Sequence, residues 1–268
     1  MVIKEALEKA RELLVEKNID PREARLLLAY SMGIDLSKLI ICETCTEEEY
    51  RLFLELISRR TNGEPFAYII GYKEFMKLKF WVDENVLIPR EDTEILVTKA
   101  IESDKKNILD MCTGSGCIAI SLAKYIKDSN VRAVDISPKA LEVARKNAKL
   151  NDVNVEFIES DLFEKVNDKY DLIVSNPPYI RKSDIDELQI EVQNEPKLAL
   201  DGGEDGLDFY KKIAKDAYAF LNNNGYLMFE IGFDQGEAVS EILKEKYVDI
   251  EVLKDFSGND RVVVAKRG

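Results

Sequence analysis

The chain has 268 residues, of which 46% are hydrophobic and 33% charged; this is ordinary for a folded domain or for a domain with a smaller companion. Lys and Arg number 38 against 51 Asp and Glu, a net charge of −13, which counts against tight sequence-independent binding of nucleic acid and suits a protein or small-molecule partner. There is no histidine, so any chemistry proceeds without the commonest general base and metal ligand.

The first residues, Met1-Val2-Ile3-Lys4-Glu5-Ala6-Leu7, open an amphipathic pattern and not a signal peptide, and no apolar run is long enough to cross a bilayer. A cytoplasmic protein without membrane contact is expected. Residues 1–66 are expected to form a small all-α bundle. Ala6, Leu7, Ala10, Leu13 and Leu14 recur at helical spacing. Asp20-Pro21-x-Glu23 reads as an N-cap, a first-turn proline and a capping-box acid, and Thr46-x-x-Glu49 opens another helix. Cys42 and Cys45 lack two further ligands for a zinc site and sit among helices rather than beside a βαβ unit, so they read as plain thiols.

Residues 67–89 change character. Tyr68, Ile69, Ile70, Phe75, Leu78, Phe80 and Trp81 are rich in β-formers, with turns offered by Gly71 and Asp83-Glu84-Asn85. A β-hairpin linking two domains is expected there. From residue 90 to 268 strand and helix patterns alternate. Strands are expected at 107–110, 131–135, 155–159, 171–175 and 226–231, and helices at 117–126, 138–150, 206–221 and 235–246. The class is α/β, a doubly wound, mostly parallel sheet. The strands expected at 248–253 and 261–265 have no helix between them and should form an antiparallel edge hairpin.

Two stretches could carry chemistry. Asp110-Met111-Cys112-Thr113-Gly114-Ser115-Gly116 follows a strand and opens a helix, and Asp135 ends the next strand about twenty residues on. Glycines there let the backbone approach a ligand, and a carboxylate at that distance suits ribose hydroxyls. No Gly-Lys-Ser/Thr follows, which counts against a P-loop, and two glycines in place of the dinucleotide triplet, with the next strand ending in an acid, fit a nucleoside without pyrophosphate, such as S-adenosylmethionine. Asp161-Leu162, after the third strand, falls where an adenine would lie. The second stretch is Asn176-Pro177-Pro178-Tyr179, at the end of an apolar strand. Its prolines fix an extended backbone and hold an amide, a carbonyl and an aromatic ring at the sheet's carboxyl edge.

Together, the glycine loop, Asp135, Ser160-Asp161-Leu162-Phe163 and Asn176-Pro177-Pro178-Tyr179 resemble the class I S-adenosylmethionine-dependent methyltransferases. More narrowly, the chain resembles the peptide chain release factor glutamine methyltransferases. That match is carried by Tyr68-Ile69-Ile70-Gly71 with Phe75, by Val86-Leu87-Ile88-Pro89-Arg90 with Thr93-Glu94, and by Glu195-Pro196-x-x-Ala199-Leu200 with Gly202-Gly203-x-Asp205-Gly206. Cys112 stands where the family loop usually has its first glycine, and a negative φ is expected for it. Glu91 replaces a common proline.

The resemblance implies a Rossmann-like methyltransferase domain at 90–268 behind a helical docking domain. It implies a monomer acting on the glutamine of the Gly-Gly-Gln tripeptide in release factors, with no direct nucleic acid. Cys112, Thr113, Gly114, Ser115, Gly116, Asp135, Asp161, Leu162 and Asn176 would hold S-adenosylmethionine, leaving S-adenosylhomocysteine as product. Asn176, Pro177, Pro178 and Tyr179 would carry catalysis, and no metal is implied. Three other readings stay open: methylation of a ribosomal-protein glutamine; methylation of an adenine in nucleic acid, which shares Asn-Pro-Pro-Tyr; and a non-catalytic S-adenosylmethionine-binding protein.

Overall fold

A computed structural model describes residues 2–268. In chain order it contains α1 (Ile3–Glu16), α2 (Glu23–Ser31), α3 (Glu47–Thr61), α4 (Phe66–Ile70), β1 (Tyr72–Phe75), β2 (Leu78–Trp81), α5 (Thr93–Glu102), β3 (Asn107–Met111), α6 (Cys117–Tyr125) and β4 (Asn130–Asp135). There follow α7 (Pro138–Leu150), β5 (Glu156–Glu159), β6 (Tyr170–Ser175), α8 (Ile190–Gln193), α9 (Asp208–Phe220), β7 (Leu221–Glu230), α10 (Gly236–Lys244), β8 (Tyr247–Lys254) and β9 (Asp260–Arg267). No helix among the described residues is long and apolar enough to cross a membrane.

The chain divides into two compact units, Met1–Gly71 with Gln189–Asn194, and Tyr72–Leu188 with Glu195–Gly268. In the first, Leu14, Leu27, Leu28, Phe53, Leu56 and Ile57 are buried on facing sides of α1, α2 and α3. The Thr46–Glu49 capping box forms with both of its hydrogen bonds. The expected box at Asp20 does not form. Asp20 instead closes a turn onto the Arg22 backbone N–H, and α2 starts at Glu23. Glu23 is engaged elsewhere, holding the buried Arg60 guanidinium together with Glu191. An arginine this deeply buried requires such paired carboxylates.

The second unit is a seven-stranded sheet in the order β5-β4-β3-β6-β7-β9-β8, with β5 to β7 parallel and β9 antiparallel to both of its neighbours. The doubly wound sheet and its antiparallel edge hairpin are as the sequence pattern predicts. Helices cover both faces. One core gathers Leu96, Ile108, Ile118, Leu172 and Val174, the other Leu109, Ile173, Tyr210, Phe229 and Val263. Strands buried on both faces explain why these segments read as continuous apolar runs.

Two local features differ from the sequence reading. Phe66–Ile70, rich in β-formers, is a short helix ended by Gly71 at φ +79°. The β1–β2 hairpin turns at Met76 and Lys77, both in the left-handed region, and not at Gly71 or Asp83–Asn85. The hairpin belongs to the second unit and is stitched to it. Asn147 Oδ1 accepts from the Trp81 N–H at 2.7 Å, and the Glu94 carboxylate accepts from the Met76 N–H at 2.6 Å.

Candidate active site

Register places the carboxyl ends of five parallel strands in one row. Met111 pairs with Val134 on one side and Ser175 on the other, Asp135 with Glu159, and Ser175 with Phe229. The residues that follow these positions therefore emerge together, where the strand order reverses around β3, and such a switch point is where ligands bind in open α/β sheets.

The glycine loop is built from below by Asp110. This fully buried carboxylate accepts from the Thr113 hydroxyl at 2.5 Å and from the Ala119 N–H at 3.2 Å, which fixes the loop to the first turn of α6. Burial pushes its pKa up to about 7. Gly116 caps α6 at φ +80°, and a side chain there would strike Ile120 and Ala144. Gly114 sits at φ +54° with open space where a side chain would be, so its backbone faces a void. Asp135 closes the far side, accepting from the Gly114 N–H at 2.8 Å and the Ser137 N–H at 2.9 Å, and burial raises its pKa.

Cys112 adopts φ +63°, against the expectation of a negative φ. The family glycine position thus keeps its left-handed backbone although a cysteine occupies it. Burial and the nearby Asp135 and Asp110 carboxylates raise the thiol's pKa, so it stays protonated.

A cavity of about 270 Å³ opens over these ends. Cys112, Thr113, Gly114, Ser115, Asp135, Asp161, Leu162, Asn176 and Pro178 line it. Gly116 lies beneath as the helix cap, and Pro177 and Tyr179 stand outside the lining. The Tyr179 ring packs on the core beside β7, with its hydroxyl 3.5 Å from Glu230 Oε1, and burial raises its pKa, so it too stays protonated.

The lining also includes residues that sequence reasoning did not assign to the site, among them Leu87, Arg90, Thr93, Ile136, Leu198 and Phe209. Two of its walls are joined by Glu195. This buried carboxylate accepts from the Ile88 N–H at 2.9 Å and pairs with the Arg90 guanidinium, so residues 86–90 and 195–199 are held as one rim. Its signal in the sequence was an acid directly before a proline in a loop rich in small residues.

Behind Asn-Pro-Pro-Tyr, the loop 200–206 runs alongside the exiting chain. Ile180 donates to Leu200 O, Gly202 to Ile180 O and Lys182 to Gly203 O. A side chain on Gly202 would lie 2.7 Å from Tyr179 Cα, and one on Gly206 would lie 2.5 Å from Tyr179 O. Gln235 Nε2 donates to the same Tyr179 carbonyl at 3.0 Å. These glycines are what allow the loop to back the motif.

Comparison with known proteins agrees with this geometry. Residues 90–203 match the methyltransferase small domain family and residues 5–71 the PrmC N-terminal domain family. The chain is 43% identical over its full length to 99% of a release factor glutamine methyltransferase of Clostridium acetobutylicum. It is 45% identical, over 90% of the chain and 68% of the relative, to a protein of the same name in Fusobacterium nucleatum. A solved methyltransferase from Pyrococcus furiosus shares the fold, with a TM-score of 0.58 at 20% identity over 79% of this chain and 97% of that one.

Proposed function

The chain belongs to the release factor glutamine methyltransferase family, and from that premise we propose that it methylates the side-chain amide nitrogen of the glutamine in the Gly-Gly-Gln tripeptide of release factors. The observation that carries this reading is the β3–β6 register, which sets the glycine loop and Asn176 side by side in one cavity. The reaction is cytoplasmic and the enzyme a monomer that needs neither nucleic acid nor membrane. The helical unit docks the protein substrate.

The cavity suits S-adenosylmethionine. The open backbone at Gly114, the Asp135 carboxylate for ribose hydroxyls, and Asp161 with Leu162 for the adenine would hold it. When bound, it supplies a methyl group on a sulfonium, an electrophile that needs no further activation. The glutamine nitrogen is a poor nucleophile because its lone pair is delocalised, so the chain's task is orientation and charge stabilisation. Asn176 Oδ1 and the Pro177 carbonyl accept the two amide hydrogens, and Tyr179, whose ring packs on the core beside β7, anchors the motif that holds them. Both acceptors would bind an amide that carries developing positive charge more strongly than the neutral ground state. The surplus proton leaves to water, so the absence of histidine is no obstacle.

The test is methyl transfer from labelled S-adenosylmethionine to a purified release factor, to its Gly-Gly-Gln variant with Ala for Gln, to ribosomal proteins and to duplex DNA. Label is expected on the wild-type release factor alone, with kcat reduced roughly 100-fold in Asn176→Ala and KM little changed. Label on DNA alone, or near-normal turnover by Asn176→Ala, would overturn the reading.

A further inference from the structure

Beyond Ser175 the chain leaves the sheet ladders, and Pro177 and Pro178 have no N–H with which to find other partners. The neighbouring strand β7 ends at Glu230, one residue past the level of Ser175. Among the described residues no main-chain hydrogen bond joins the two exits, Asn176–Tyr179 and Ile231–Gly232. A side chain joins them instead. Gln235, at the N-cap of α10, is 4% exposed and does not line the cavity. Its Nε2 donates to the Tyr179 carbonyl at 3.0 Å and to the Gly206 carbonyl at 3.3 Å. Its Oε1 accepts from the Gly232 N–H at 2.9 Å and lies 3.3 Å from the Tyr210 hydroxyl.

The partners of an amide decide which end faces which way. Two carbonyls can only accept and a backbone N–H can only donate, so Nε2 faces the motif and Oε1 faces the β7 exit. The reverse would set oxygen against two oxygens. Two glycines leave room for this amide. A side chain on Gly206 would lie 2.8 Å from Nε2, and one on Gly232 would lie 2.9 Å from Oε1. A buried amide whose two ends are both satisfied is rigid and specifies one arrangement of the pieces it joins. We propose that Gln235 is a positioning residue: it fastens the Asn176-Pro177-Pro178-Tyr179 exit to the β7 exit and so fixes where Asn176 Oδ1 and the Pro177 carbonyl stand. This rests on the reading of those two groups as the acceptors of the substrate amide.

The two ends of the side chain do different work. The bond to Gly232 closes a turn of three residues and holds the amide in place. The bond to Tyr179 reaches 56 residues back along the chain. The loop behind the motif forms its main-chain bonds at Ile180 and Lys182, further from Asn176 than Tyr179 is. With two prolines between them, Asn176 and Tyr179 move as one stiff piece, so a hold on the Tyr179 carbonyl carries to the acceptors. Loss of that hold leaves every wall of the cavity in place, since Gln235 supplies none of them.

The experiment uses the full chain, labelled S-adenosylmethionine and a purified release factor, with Gln235→Met, Gly232→Ala, their double variant and Asn176→Ala. Turnover is expressed per S-adenosylmethionine site titrated by calorimetry in the same sample, so partial unfolding does not pass for a loss of rate. Gln235→Met keeps the length of the side chain and removes both polar ends. Its kcat should fall roughly 10- to 100-fold, the scale of a misplacement of up to about 1 Å. KM for the release factor and the affinity for S-adenosylmethionine should stay within about twofold. The methyl group of Gly232→Ala meets the tip of the Gln235 side chain and not backbone, so it should displace the amide, lower kcat in the same sense, and add little to Gln235→Met in the double variant. Wild-type kcat in Gln235→Met, or a loss taken wholly in KM or in cofactor affinity, would overturn the proposal. If Gln235→Met yields no titratable site, Gly232→Ala decides alone, and wild-type kcat there would overturn it. Asn176→Ala separates the two levels. If it is inactive while Gln235→Met turns over normally, the positioning role alone fails; if Asn176→Ala turns over normally, the acceptor reading fails and takes this proposal with it.

Discussion

Cys112 shows how a single residue carries backbone strain into the site. An L-residue in the left-handed region costs about 1–2 kcal/mol, and Cys112 holds φ +63° where the chain turns from β3 into the glycine loop. Thr113 locks that turn by donating to Val134 O at 2.9 Å, so the strain cannot relax without opening the loop. Cys112→Gly should therefore remain within about 1 kcal/mol of wild type, the relieved strain offsetting the lost packing and the freer unfolded chain. Cys112→Val, branched at Cβ, should cost about 1–3 kcal/mol and weaken S-adenosylmethionine binding. Urea midpoints and calorimetric affinities of the two variants check this; equal stabilities would mean that the turn tolerates any side chain.

At the scale of elements, the site depends on a strand exit and the loop behind it. Asn176-Pro177-Pro178-Tyr179 is stiff along the chain but has no strand partner of its own after Ser175, and the loop through Gly202 and Gly206 supplies one. The atoms nearest a methyl group on Gly202 are Pro178 and Tyr179 backbone, which cannot swing aside as a side-chain tip could. Gly202→Ala and Gly206→Ala should each cost about 1–3 kcal/mol. Because a displacement of about 1 Å can cost roughly 100-fold in rate, kcat should fall further than stability implies. Turnover by folded Gly202→Ala at the wild-type rate would show that the loop does not set the motif's position. The motif itself was legible in the sequence because two prolines after an apolar run admit few backbones. Its backing was visible only as a glycine-rich stretch. Glu230 went unread as a buried residue because an acid ending an apolar strand looks like an ordinary exit to solvent, and its burial depends on register. The Met76–Lys77 turn carries no turn residues, and α4 is a helix built of β-formers whose shape is set by tertiary packing.

For the whole molecule, the alternating pattern of residues 107–268 was enough to read the sheet, since buried strands and amphipathic helices differ in period. What the pattern cannot carry is charge inside the core. Asp110 and Glu230 are both buried, and each has its pKa raised to about 7 by desolvation. A carboxyl whose folded pKa exceeds its unfolded one binds its proton more tightly in the folded state. Its contribution is fully present below about pH 4 and is lost as pH rises through about 7. Shifts of this size correspond to roughly 3–4 kcal/mol per group. Asp255, lowered to about 2, acts with the opposite sign but only at more acid pH. Between pH 5 and 8 the second unit should therefore lose stability. The sole tryptophan, Trp81, lies in β2 of that unit and reports its unfolding. Urea melts followed by Trp81 fluorescence should show midpoints falling from pH 5 to 8, with the slope about halved in Asp110→Asn and again in Glu230→Gln. A flat profile in the wild type would mean that neither carboxyl carries its proton into the folded state.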